Sequence, residues 1–276
     1  MKRTVTATLS AEIASPADVE LQVAVARIPG LTVDEHLAVS LDGVRLDPVE
    51  LVDRAATGSR VHTVTCGPGR LEVAYDARVS GVAEPVPVEP LDASAFRRPS
   101  RYADSDRLAA LAVAELGPGV REGADGVEPA EVRDRVRAFV AGRLQYVSGS
   151  SRGTDSAVDS LLAGAGVCRD YAHTVVALLR ALDVPARLVS VYAPGLAPMD
   201  FHAVVEVLVA GRWTVVDATG LAPRAAMLRI ATGRDAADTA FLTSYGGELA
   251  LTAMTVTAVV DGDLPVEDPR TELALA

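Results

Sequence analysis

The chain has 276 residues, 49% of them hydrophobic and 23% charged, which excludes an intrinsically disordered protein and sets an expectation of about two domains. Thirty-seven acidic against 26 basic residues leave a formal charge of −11, which argues against nucleic acid and anionic membrane surfaces as partners. Two cysteines and four histidines can build neither a disulfide framework nor a standard structural zinc site, so no metal and no cofactor is expected and the chain reads as cytoplasmic, with reduced thiols.

Met1-Lys2-Arg3 imitates the basic start of a secretory leader, but Glu12, Asp18 and Glu20 arrive before any apolar run of the required length. No stretch of about eighteen uncharged apolar residues occurs, so no membrane span is expected. Period-two alternation marks strands at 3–10, 19–28, 31–40, 60–66 and 70–80, separated by Pro29-Gly30, Gly43, Gly58 and Gly67-Pro68-Gly69. They predict an N-terminal β-sandwich-like domain over residues 1–90, complete before the Pro- and Val-rich end at 82–90, with 91–104 as a linker.

The period then becomes helical, over 106–116 with Gly117-Pro118-Gly119 as the stop, and over 129–144 with Pro129 in the first turn. In the second helix Val132, Val136, Phe139, Val140 and Leu144 share a core face opposite Glu131, Arg133, Asp134, Arg135 and Arg137. A short helix at 154–163, capped by Thr154 or Asp155, leads through Gly164-Ala165-Gly166 to a helix at 167–182 that Pro185 ends. Strands follow at 187–192, 202–209 and 212–217, the last two forming a hairpin that turns at Ala210-Gly211, with further strands near 226–232, 240–244 and 250–260. The fold class is α+β, the second domain spanning 105–262 with 263–276 as a C-terminal tail.

Cys168 lies just inside a helix start, where the helix dipole stabilises a thiolate and the residue's own N–H lacks an intrahelical partner and can meet a developing oxyanion. A thiol nucleophile needs an imidazole to take and return its proton. His173 is five positions along the same helix, roughly 140° around it, and reads as a packed or capping residue. His36 and His62 belong to the N-terminal strands. His202 opens a strand of the cysteine's own domain and is the best base. Asp217 ends the partner strand of the hairpin, placing it near His202 to orient the ring, whereas Glu206 is displaced toward the turn.

Three blocks, Gly166-Val167-Cys168-Arg169-Asp170-Tyr171-Ala172-His173, Asp200-Phe201-His202-Ala203-Val204-Val205-Glu206-Val207 and Gly211-Arg212-Trp213-Thr214-Val215-Val216-Asp217-Ala218-Thr219, together resemble the transglutaminase-like superfamily. More narrowly, the chain is similar to bacterial transglutaminase-like proteins with an N-terminal β domain. Pro99-Ser100-Arg101-Tyr102 and Gly233-Arg234-Asp235-Ala236-Ala237-Asp238 are part of that likeness, which covers roughly residues 1–262. The resemblance implies a papain-like core of helices and an antiparallel sheet, with Cys168 as nucleophile, His202 as general base and acid, and Asp217 as orienter. It implies acyl transfer or hydrolysis on peptide or glutamine amides through a thioester, with a peptide or protein as substrate.

Val204 stands where relatives often carry tryptophan, Ala218 replaces a common proline, and aromatics make up only 4% of the chain. Little material remains for a water-excluding tunnel, so hydrolysis is expected at least as readily as cross-linking. Asp261-Gly262-Asp263 offers too few ligands for calcium. Cys66 reads as a core thiol, Gln145 and Tyr146 as packing rather than oxyanion donors, and Arg97, Arg98 and Arg101 as partners of Asp104 and Asp106. Arg169 and Asp170 are expected to brace the helix. The alternative reading is a catalytically retired fold that binds a peptide or protein without turnover.

Overall fold

The computed structural model describes residues 1–117, 128–266, 268 and 271–275. The N-terminal strands are β1 (Arg3–Ile13), β2 (Ala17–Leu21), β3 (Leu31–Leu41), β4 (Val44–Leu46), β5 (Val49–Arg54), β6 (Ser59–Cys66) and β7 (Gly69–Gly81). Alternation does the work expected of it. Val5, Ala7, Leu9, Ala11 and Ile13 of β1 and Leu71, Val73, Tyr75, Ala77 and Val79 of β7 are buried on one face, while their neighbours face outward.

The rest of the chain forms α1 (Asp92–Ala95), α2 (Ser105–Leu116), α3 (Pro129–Arg143), β8 (Gln145–Tyr146), α4 (Ala157–Ala163), β9 (Ala165–Gly166) and α5 (Cys168–Ala181). After these come β10 (Ala186–Tyr192), β11 (Phe201–Val209), β12 (Arg212–Val216), β13 (Leu228–Gly233), α6 (Ala236–Thr239), β14 (Leu242–Tyr245) and β15 (Leu249–Val260). The α+β class and the core of helices on an antiparallel sheet are as expected. The Pro118-Gly119 part of the expected helix stop lies outside the described residues.

Strand pairing corrects one expectation. The sandwich is not complete by residue 90: its five-stranded sheet runs β15-β1-β7-β3-β4 and its four-stranded sheet β14-β2-β6-β5, so one edge of each comes from the C-terminal part of the chain. Thr6 of β1 faces Thr257 of β15, their hydroxyls 2.7 Å apart. Both strands were legible as strands; their partners, more than two hundred residues away, were not.

A second correction concerns residues 23–28. They continue the apolar run of β2 but leave the ladder, because this segment passes between the sandwich and the β10–β13 sheet and is buried on all sides save at Arg27. Its backbone groups find other partners: Val25 N–H donates to the Tyr75 hydroxyl (2.9 Å), Val23 carbonyl accepts from the Tyr192 hydroxyl (2.7 Å), and Ala26 N–H donates to Arg229 carbonyl (2.8 Å). Tyr192, Leu228, Ile230 and Ala231 thereby join the sandwich's own apolar core.

Helix α5 is enclosed by α2, α3 and α4 on one side and the sheet β12-β11-β10-β13 on the other. Val175, Val176, Leu178 and Leu179 are fully buried with Val132, Val136 and Val140 of α3, while Phe139 is partly buried. Each such side chain contributes about 1.5–3 kcal/mol through burial. Arg180, in the helix's last turn, donates to the carbonyls of Ala186, Arg98 and Arg234, tying β10, the segment before α2 and the end of β13 to one cation. Residues 91–104 are packed rather than free, with Phe96 and Ala103 buried. The expected arginine–aspartate pairing there is replaced: Arg97 donates to Asp183 carbonyl, Arg101 lies over the Tyr102 ring, and Asp104 takes Arg107.

Candidate active site

The N-cap of α4 is Ser156, not Thr154 or Asp155. Its hydroxyl accepts from Asp159 N–H while Asp159 returns a bond to Ser156 N–H, a capping box that residues 156–159 spell out. Helix α5 starts two residues after the β8–β9 pair, at Cys168. Asp170 folds back to accept from Val167 N–H (2.8 Å) and also takes the Ser151 hydroxyl and Arg169. A Cβ on Gly166 would lie 2.6 Å from the Asp170 Cβ, so this return is open only to glycine. Arg169 reaches on to Arg152 carbonyl (2.8 Å), and the two residues brace the helix start as expected.

Cys168 is half-buried, its thiol 4.0 Å from the carbonyl of Phe201. The next residue, His202, is 1% exposed. Its Nε2 lies 2.8 Å from an Asp217 carboxylate oxygen, and its Nδ1 is buried with no hydrogen-bond partner among the described residues. Burial alone would discharge the ring; Asp217 more than reverses this, with a further contribution from the neighbouring Cys168, and pushes His202 up to about 10. Asp217 moves the other way: against the cost of burial, His202 and Thr219 hold its carboxyl below the usual range.

The hairpin explains the pair. Ala210 and Gly211 both have positive φ, 47° and 74°, the two-residue turn whose twist matches the strands. The register sets Val205 against Val216, so Asp217 lies just beyond the ladder and reaches diagonally to His202 rather than facing it directly. Thr219 then completes the clamp, its N–H (2.8 Å) and hydroxyl (2.7 Å) donating to the second Asp217 oxygen. The signal for this role was the Asp-x-Thr spacing, a common local side-chain-to-backbone turn.

The structure thus brings together Cys168, His202 and Asp217. His36 and His62 lie on β3 and β6 of the sandwich. His173 is packed: fully buried, stacked on Tyr102 (5.3 Å between centroids), its Nε2 accepting from Ala236 N–H at the start of α6. Cys66 is a buried core thiol, pushed up by desolvation. Glu206 sits away from the imidazole, buried between Arg187 and Arg229. Desolvation works against its charge, but the two guanidiniums hold it at about 2.

Tyr146 departs from expectation. The parallel β8–β9 pairing sets it beside Gly166, and its phenol lies against Cys168. Burial and Cys168 push that phenol up to about 12, against the pull of a hydrogen bond from the Cys168 backbone N–H. Gln145 remains exposed. Among the described residues no group of three or more His, Cys, Asp and Glu side chains is placed to hold a metal ion.

A family model described as the transglutaminase-like superfamily matches residues 117–218, a span that contains all three residues. A candidate cysteine protease from Cytophaga hutchinsonii, of known crystal structure, is 30% identical over 100% of this chain and 98% of its own, with a TM-score of 0.84. The chain belongs to the transglutaminase-like superfamily. More distant are the periplasmic domain of TgpA from Pseudomonas aeruginosa, 16% identical over 78% of this chain and 90% of that one with a TM-score of 0.40, and LapG of Legionella pneumophila, 18% identical over 61% and 90% with a TM-score of 0.31. No curated protein matches the sequence. In this transglutaminase-like core Val204 is buried in one apolar cluster with Val189, Val191 and Val215, and Ala218 is partly buried against the cluster built on α5.

Proposed function

We propose that this transglutaminase-like protein is a thiol enzyme that cleaves or transfers the acyl group of peptide or glutamine amides through a thioester on Cys168. The observation that carries the reading is the buried imidazole of His202, held at one nitrogen by Asp217 and free at the other beside the thiol of a helix-start cysteine.

The steps follow from these contacts. His202, raised to about 10, rests as an imidazolium that Asp217 supports through Nε2–H, and the sulfur of Cys168 attacks the amide carbon with its proton already resident on Nδ1. The carbonyl oxygen, becoming an anion, displaces the Tyr146 oxygen from the Cys168 N–H, which no helical bond uses, and takes the Tyr146 hydroxyl as its second donor. His202 returns the proton to the leaving amine, releasing it and leaving the acyl group on sulfur. Water or an amine then attacks the thioester, His202 taking the incoming proton and sulfur departing. The thiol is only partly buried and so admits water, which makes hydrolysis the favoured second step.

The test is alkylation followed by acylation. Iodoacetamide should label Cys168 far faster than buried Cys66, and His202→Ala should slow labelling at Cys168 alone, read by peptide mass spectrometry. A library of glutamine and peptide amides should then give an acyl-enzyme mass that Cys168→Ala lacks, with thermal unfolding little changed. Labelling indifferent to His202, with no acyl adduct, would favour binding without turnover.

A further inference from the structure

On the outer face of the sandwich's four-stranded sheet lies a groove of about 400 Å³, floored by β2 and β6, walled by β5 and closed at one end by α6. Ligand sites commonly span about 300–1,000 Å³. Gln22, on its floor, extends the β14–β2 pairing by one residue through its N–H to Phe241 carbonyl, so its side chain falls on the same face as Glu20. It is 8% exposed, and its Oε1 has no hydrogen-bond partner among the described residues. A buried amide oxygen left in that state is destabilising, and a donor in the groove would remove the cost.

Around it lie the carboxylates of Glu20, Asp53 and Asp238 and one cation, Arg54, whose Nε has no hydrogen-bond partner among the described residues. Glu20 has only the Tyr245 hydroxyl at 3.3 Å, and Asp53 has no cation in ion-pair contact among the described residues. Partial burial and the carboxylate of Asp238 push Asp53 up, with Arg54 opposing. Asp238 itself is taken by Arg234 at 2.9 Å, with Arg54 farther off at 3.9 Å. Between these acceptors Leu51 and Val52, both more than half exposed, give the groove an apolar wall on the sheet's edge strand. An unpartnered amide oxygen and two carboxylates without a cation in ion-pair contact among the described residues, beside an apolar wall, are complementary to a cationic donor on a hydrocarbon stem.

We propose that this groove is a binding site for an alkyl ammonium group, carried by a free amine or by a lysine side chain, with Gln22, Glu20 and Asp53 as its acceptors. It lies on the sandwich and does not depend on the reaction proposed for Cys168.

The experiment titrates the full chain, its thiol blocked with iodoacetamide, with cadaverine, with Nα-acetyl-lysine amide and with 1,5-pentanediol as a length-matched neutral control, followed by calorimetry and amide NMR. The expected result is millimolar binding of the ammonium compounds with shifts confined to β2, β5 and β6, no binding of the diol, and about tenfold weaker binding in Asp53→Asn and Gln22→Leu. Tighter binding of cadaverine assigns the site to free amines, tighter binding of the lysine amide to peptide side chains. Equal response to the diol, no binding up to about 20 mM, or binding unchanged in Asp53→Asn would overturn the proposal. Asp53 is exposed, so that variant tests the site even if Gln22→Leu fails to fold.

Discussion

Two imidazoles lie at helix α5, His202 across from its first turn and His173 within it, and they share burial but not charge. Both are at most 1% exposed, and desolvation lowers both. At His202 a carboxylate 2.8 Å from Nε2 reverses the effect and the ring titrates near 10. At His173 the nearest polar partner is the Ala236 N–H, which requires an unprotonated Nε2. There burial dominates, the attractions of Asp235 and Asp170 are opposed by Arg169 and Arg180, and the ring is held down to about 4. Nearby charges of mixed sign do not set a buried histidine's state; one carboxylate in direct contact does.

The largest break in this contrast comes from removing that carboxylate's charge. Asp217→Asn should lower the single-turnover acylation rate about 10³–10⁴-fold while the protein remains folded, because the ring loses both its orienter and its counter-charge. An undiminished rate would remove Asp217 from the mechanism. Tyr146→Phe, which deletes a hydroxyl at the oxyanion position and no charge, should cost about 10–10²-fold in kcat with little change in KM. Thr219→Val leaves Asp217 charged but releases its second oxygen, and a loss of about tenfold is expected in the same assay.

The pH dependence of unfolding sharpens the contrast without any substrate. His202 has a folded value raised above the ordinary 6.5, so its stabilisation is full below about 6.5 and is lost as pH rises toward 10. His173 has a lowered folded value, so its stabilisation is full above about 6.5 and is lost as pH falls toward 4. Chemical denaturation across pH 4–10 should therefore show His202→Gln flattening the alkaline limb and His173→Gln the acid limb; the same limb affected by both would show that the two rings do not differ as described. The smallest expected effect is on catalysis in His173→Gln, within about twofold of the parent kcat once folded, since that ring touches α6 and Tyr102 rather than the thiol.

Much of the site was legible because its signals are local. The helix start at Cys168 follows from a glycine-flanked turn, and the His202–Asp217 pair from two short strands and a turn whose positive-φ residues, Ala210 and Gly211, sit between them. The place of Tyr146 beside the thiol was not legible because it depends on the parallel β8–β9 pairing, and two-residue strands leave no periodicity to read. Thr219 was quoted without a role because a threonine two residues after an aspartate is common in turns that do no chemistry.

The division between the two kinds of information runs along the range of the interactions. Alternation in β1, β7 and β15, the apolar faces of α3 and α5 and the spacing of cysteine, histidine and aspartate are properties of short segments, set by the 2.0- and 3.6-residue periods of backbone geometry. Which strands share a sheet is not. The joining of β1 to β15 and of β2 to β14, the burial of residues 23–28 on nearly every side, and the groove they leave around Gln22 arise only when segments distant along the chain meet. The charge of each buried histidine is of the same kind, since it rests on which partner the folded chain sets against a ring nitrogen, a carboxylate fifteen residues away or an amide sixty-three residues away.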